Sequence, residues 1–111
     1  RELLTTMTAF AAAIDTLFGD PALARDALWR LGGTGDGTTV RVIPKRPDQV
    51  VGFGDSRAVV PTVLIDVRRV DVPNPASGDS VEIEGEIFAV IATPTIDAER
   101  LIWTCEASPQ G

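Results

Sequence analysis

Residues 77–106 read SGDSVEIEGEIFAVIATPTIDAERLIWTCE, and the pattern within them decides the fold class. Val81 and Ile83 alternate with Ser80, Glu82 and Glu84, Gly85 interrupts, and a second extended run follows from Glu86 to Thr93. One apolar face, one acidic face and a glycine between two short runs predict a β-hairpin with Gly85 at a positive-φ turn position. After Pro94 and Asp97 a third run puts Leu101, Trp103 and Cys105 on one face and Ile102, Thr104 and Glu106 on the other. Three such runs make an antiparallel meander. Its expected core is Val81, Ile83, Ile87 or its neighbour Phe88, Val90 and Trp103. The fold class that follows is mainly β: a small antiparallel β-barrel or sandwich with an N-terminal α-helix.

Outward from this centre, Arg57 to Val72 reads as the longest strand, with Val59, Val63, Ile65 and Val67 on one parity and Val70 and Val72 on the other. A β-bulge at Arg68-Arg69 would return the last two to the core face. Val40 to Arg46 is a further strand with Val40 and Val42 on one face. Pro44 cannot donate to a ladder, which predicts an edge strand or a strand ending there. Between these strands lies PDQVVGFGDS, residues 47–56, where Phe53 sits between two glycines and either folds back onto the core or serves as an exposed anchor for a partner. The run GGTGDG, residues 32–37, reads as a mobile turn. As a phosphate loop it fails, because no Lys-Ser or Lys-Thr pair follows and the next element is a strand. Asp20 to Leu31 reads as an edge strand, with a short helix through Trp29 as the alternative. Arg1 to Phe18 is a helix, since Leu3, Met7, Phe10, Ile14 and Leu17 recur at spacings of four and three. That stripe either covers the open end of the β core or docks on a neighbouring protein.

Composition limits the chemistry. A chain of 111 residues supports one domain with a modest core, here 1–111 with a helical arm at 1–18 and a β core at 40–107. No apolar run reaches the ~18 residues of a membrane span, and no basic-then-apolar leader precedes the helix, so a soluble, non-secreted protein without membrane contact is expected. Histidine is absent and Cys105 is the single cysteine, which removes Ser-His and Cys-His catalysis and the usual zinc sets. Cys105 shares its face with Leu101 and Trp103 and reads as a buried structural thiol. Asp66, Asp79, Glu82, Glu84 and Glu86 read as a solvated face rather than as paired catalytic carboxylates. No enzyme, cofactor or metal is expected. The net charge is −6. Acids gather between Asp66 and Glu86, and Arg41, Lys45, Arg46 and Arg57 lie between Gly37 and Ile65, so an acidic side and a mildly basic side are expected, as suits subunits meeting head to tail.

The order Phe18-Gly19-Asp20-Pro21, Gly32-Gly33, Val40-Arg41-Val42-Ile43, Arg46-Pro47-Asp48, Gly52-Phe53-Gly54 and Gly78-Asp79-Ser80-Val81-Glu82-Ile83-Glu84-Gly85, closed by Pro94, Asp97, Leu101 and Trp103, resembles the head-tail joining (head-completion or stopper) proteins of lambda-type long-tailed bacteriophages and their relatives in gene transfer particles. Phe88 stands where that pattern would place a Tyr. The resemblance implies a structural virion protein: a homo-oligomeric, hexameric ring between the portal or its adaptor and the tail terminator or tail tube. Double-stranded DNA would leave the capsid through its channel without sequence-specific binding. It also implies assembly in the bacterial cytoplasm and residence at the head-tail junction. The partner interface expected from residues the β core does not need comprises Leu3, Met7, Phe10, Ile14, Val50, Val51, Phe53 and Arg57. The alternative is a small β-barrel module for a small ligand or oligosaccharide, which needs an aromatic-lined pocket.

Overall fold

A computed structural model describes residues 2–45 and 62–110, with side chains from Ala9 onward. Helix α1 spans Glu2–Phe18, and among the described residues seven strands follow: β1 Arg25–Arg30, β2 Thr38–Lys45, β3 Val63–Arg68, β4 Ser80–Ile83, β5 Glu86–Val90, β6 Thr95–Ile96 and β7 Ile102–Pro109. Six of them close a barrel. Going round it the order is β1, β2, β3, β7, β5, β4 and back to β1, with every neighbouring pair antiparallel. The two-residue β6 extends the β5 side of the wall and pairs with the first half of β7. Closure leaves no long unpaired edge among the described strands.

Alternation in each strand decides what fills the barrel. Ala27 and Trp29, Val40 and Val42, Val63, Ile65 and Val67, Val81 and Ile83, Phe88 and Val90, and Cys105 and Ala107 all point inward and are buried, with Trp103 packed half-exposed against them. The meander and its core thus stand as expected, and of the two neighbours it is Phe88 that is buried while Ile87 is exposed. Ile83, Glu84, Gly85 and Glu86 form the two-residue hairpin turn, with φ of 53° at Glu84 and 85° at Gly85. Positive φ at both central positions matches the right-handed twist of the flanking strands.

Four expectations are corrected in whole or in part. The long strand expected over 57–72 is β3, Val63–Arg68, which has six residues and is shorter than β2 and β7 with eight each, and the parity change is made by a turn rather than a bulge. Asp71 and Val72 donate their backbone N–H groups to the Arg68 carbonyl, which returns Val72 to the core and leaves Val70 outside. Of the two readings of Pro44 the edge strand fails, because β2 pairs with β1 on one side and β3 on the other, whereas the strand ending there holds, since β2 spans Thr38–Lys45. The β1 ladder stops at the Arg25–Val42 pair, so Pro44 lies beyond it and its missing N–H costs no bond on that side. The glycine run 32–37 is not a free turn: it begins in a short 3-10 turn, Leu31–Gly33, and is tied to the barrel through Gly32, as described below. Residues 20–31 contain a strand, β1, which lies between β2 and β4 rather than at an edge.

Candidate functional site

The barrel interior offers no cleft for chemistry. Val42, Ile65, Val67, Val81, Cys105 and Ala107 have no solvent exposure, so side chains fill the space that a pore or ligand cavity would occupy. A hollow of ≈280 Å³ at one mouth is lined by Pro44, Val63, Ile83 and Phe88 with Arg25, Glu84 and Glu86 at its sides. One aromatic ring does not make the stacking platform that an oligosaccharide requires. Among the described residues no group of acidic, Cys or His side chains is arranged to hold a metal ion, and no helix is long and apolar enough to cross a membrane.

Cys105 sits at the centre of this packed interior, unexposed. Burial, and secondarily the charges of Asp79 and Asp66, push its thiol from the ordinary 9.0 up to about 12. A folded-state pKa above the unfolded one means that the thiol stabilises the fold fully below pH 9, and that this contribution is lost as pH rises toward 12. The slope is at most about 1.4 kcal/mol per pH unit. Denaturation midpoints measured across that window should fall more steeply for the native chain than for Cys105→Ala. Parallel curves would place the thiol at the surface, and rapid labelling of the folded protein by a thiol reagent would say the same.

The acidic residues do not form one solvated face. Asp66 and Asp79 are 9% and 3% exposed. Asp66 accepts a hydrogen bond from Thr104 Oγ1 at 2.8 Å and pairs with Lys45 Nζ at 2.8 Å. Asp79 has the parity of Val81 and Ile83 and so points into the end of the barrel. Its Oδ2 accepts from Trp29 Nε1 and the Ala76 N–H, both at 3.0 Å, and its Oδ1 accepts from the Gly32 N–H at 2.8 Å. One carboxylate therefore ties β1, the glycine loop and the segment before β4 together. Period-two alternation already carried this signal, since it puts Asp79 with Val81 rather than with Ser80.

Nor do the described residues divide into an acidic and a basic side. Ion pairs run from strand to strand: Arg30 to Glu82 and Arg41 to Asp26 at 2.9 Å, and Arg25 to Glu84 at 3.4 Å. The basic residues of β1 and β2 meet acids of neighbouring elements, because the closed order places β1 between β2 and β4. Sequence clusters of charge become mixed in space.

The candidate partner surface is reached in part. Val50, Val51, Phe53 and Arg57, and the side chains of Leu3 and Met7, lie outside the described residues. Phe10 is 44% exposed and Ile14 half-buried. The helix does not cap the barrel with that stripe among its described side chains. It meets β2 through its last turn, where Phe18 is buried on the outer wall. The Phe18 carbonyl accepts from Arg41 Nε at 2.9 Å, and the Arg68 guanidinium lies 5.3 Å from the ring centroid. Arg68 also pairs with Asp15 at 3.0 Å and with Asp71 at 2.8 Å. Ala11 and Ile14 are half-buried and Phe18 is buried, whereas Phe10, Ala13 and Leu17 are left exposed. Further exposed apolar groups are Leu23, Leu31, Val70, Ile87 and Ile91.

The described residues thus form a filled barrel with a helix tethered to its outer wall and several exposed apolar groups. No curated protein matches the chain. The family model described as phage head-tail attachment protein matches residues 7–107, from the helix to the last strand of the barrel. On that match over nearly its whole length, the chain belongs to the phage head-tail attachment protein family, whose members are structural components joining heads to tails.

Proposed function

We propose that copies of this chain assemble as a ring, a hexamer, at the head-tail junction of a phage or a phage-like gene transfer particle. The ring sits between the portal or its adaptor and the tail terminator or tail tube. It acts as a stopper that retains packaged double-stranded DNA and presents the surface to which the tail attaches. It is a non-enzymatic virion component assembled in the bacterial cytoplasm. The observation that carries the reading is the packed barrel interior: a subunit filled with side chains has no bore of its own, so a DNA channel requires several copies around an axis. The paired state of Arg25, Arg30, Arg41, Lys45 and Arg68 supports passage without adhesion, because free Lys and Arg supply most non-specific affinity for phosphate. Leu3, Met7, Phe10, Ile14, Val50, Val51, Phe53 and Arg57 are the proposed contacts to neighbours, and the domain comprises residues 1–111.

Particles made without this subunit should be filled heads that lose DNA and carry no tails, and adding the purified protein should restore tails. Phe53→Ala should leave the melting temperature unchanged and impair tail attachment. Normal tailed particles in the absence of the protein, or a labelled subunit seen at the tail tip, would refute the assignment.

A further inference from the structure

The described surface carries two apolar features on opposite walls. Helix α1 is seated on β2 and turns Phe10, Ala13 and Leu17 away from the barrel, with Phe10 44% and Leu17 45% exposed. In the closed order β5 stands three strands away from β2, diametrically across the barrel. Its outward parity is Ile87, Ala89 and, just past its end, Ile91, with the two isoleucines 41% and 46% exposed. A groove of ≈450 Å³ runs beside this row, lined by Ile87, Ala89 and three glycines, with Arg30, Asp79, Ser80 and Gln110 as its polar members. Glycines leave room for a bulky neighbour.

We infer that the Phe10–Ala13–Leu17 face of one copy docks on the Ile87–Ala89–Ile91 row of the next copy and the groove beside it, making the head-to-tail contact from which a ring closes; this deepens the ring reading and rests on it. The dimensions agree: Phe10 to Leu17 spans roughly 10 Å of helix, and Ile87 to Ile91 roughly 13 Å of strand. The shapes are complementary, a convex helix against a groove. Arg30, which lines the groove, is already paired with Glu82, and Asp15 on the helix with Arg68, so neither brings an unpaired charge into the contact. Two different patches on opposite sides of one subunit generate a heterologous contact, whose repetition closes a ring when the rotation permits. The patches amount to a few hundred Å², far below the ~1,200–2,000 Å² of a stable two-body interface. An isolated pair of copies is therefore not held, whereas in a closed ring every subunit is held twice. A second copy is favoured over a head or tail protein because this chain itself supplies both halves of the match.

The test is disulfide trapping in assembled particles, in a Cys105→Ala background, with Ala13→Cys combined in turn with Ile87→Cys, Ala89→Cys and Ile91→Cys so that small shifts of register are tolerated. At least one pair should give an oxidant-dependent ladder of this subunit ending at a closed ring, and each single cysteine should stay monomeric. Leu17→Asp and Ile87→Asp should each reduce tail attachment about tenfold or more with unchanged melting. Rings visible by electron microscopy with no ladder from any pair and normal attachment by both Asp variants would overturn this contact while leaving the ring reading intact. A dimer from Ala13→Cys alone, or a cross-link to a head or tail protein, would also overturn it. Absence of any ring would overturn both.

Discussion

Asp79→Ala is expected to lower the stability of the domain by about 3 kcal/mol, a large share of the roughly 5–15 kcal/mol typical of a folded domain. The substitution removes almost no apolar contact. It leaves three donors without their acceptor: the buried indole N–H of Trp29 and the backbone N–H groups of Gly32 and Ala76. An orphaned buried donor costs about 1–3 kcal/mol. Trp29 is 3% exposed and bears that in full, while Gly32 and Ala76 are at the surface and recover part of theirs from water. Asp79→Asn should cost less, because an amide keeps one acceptor oxygen but turns a donor toward at least one of the three donors. Urea unfolding of the three proteins should therefore rank them native, Asn, Ala, with Ala separated from native by more than 2 kcal/mol. A difference below 1 kcal/mol would mean that the glycine loop and the indole find other partners and that Asp79 is a surface residue in practice.

Asp79 also marks where the sequence was harder to read than it needed to be. The inward strands were legible because one-in, one-out alternation is a backbone property, and Val81, Ile83, Val90 and Cys105 sit where their parity puts them. The same parity assigns Asp79 to the interior, but an acid beside Glu82 and Glu84 suggests a solvated face until the donors that meet it are known. Those donors come from residues 3, 47 and 50 positions away, beyond any local pattern. The mixing of charges was illegible for a related reason. Arg30 and Glu82 are 52 residues apart, and only barrel closure between β1 and β4 makes them neighbours. The helix was legible as a helix but not in its seating, since its Ala-rich sequence offers apolar groups on more than one face. The stripe ends at Leu17, which is exposed, and it is the next residue, Phe18, outside the stripe, that is buried, with the Arg68 guanidinium over its ring.

That seating leads to the second large effect: Phe18→Ala should release the helix while leaving the barrel folded. Phe18 is 1% exposed yet stands apart from the residues that fill the barrel, so its burial energy is spent on joining arm to wall. Removing a buried phenyl ring costs about 3–5 kcal/mol at a well-packed site, more than a hundredfold in the ratio of docked to free arm. Among the described residues the remaining polar ties are the Arg41 hydrogen bond to the Phe18 carbonyl and the Arg68–Asp15 pair, whose Asp15 side chain is 64% exposed. An exposed pair of that kind contributes about 1 kcal/mol or less. A helix of 17 residues is marginal in water once it loses its packing. Far-UV circular dichroism should accordingly lose most of its helical signal, and amides of α1 should exchange rapidly while those of β3 and β7 stay protected. Arg68→Ala should move in the same direction by less, since it leaves the ring in place. Tail attachment should fail in Phe18→Ala if the arm must be presented as a helix. Loss of barrel protection together with the helix would instead make arm and barrel one cooperative unit, with Phe18 part of its core.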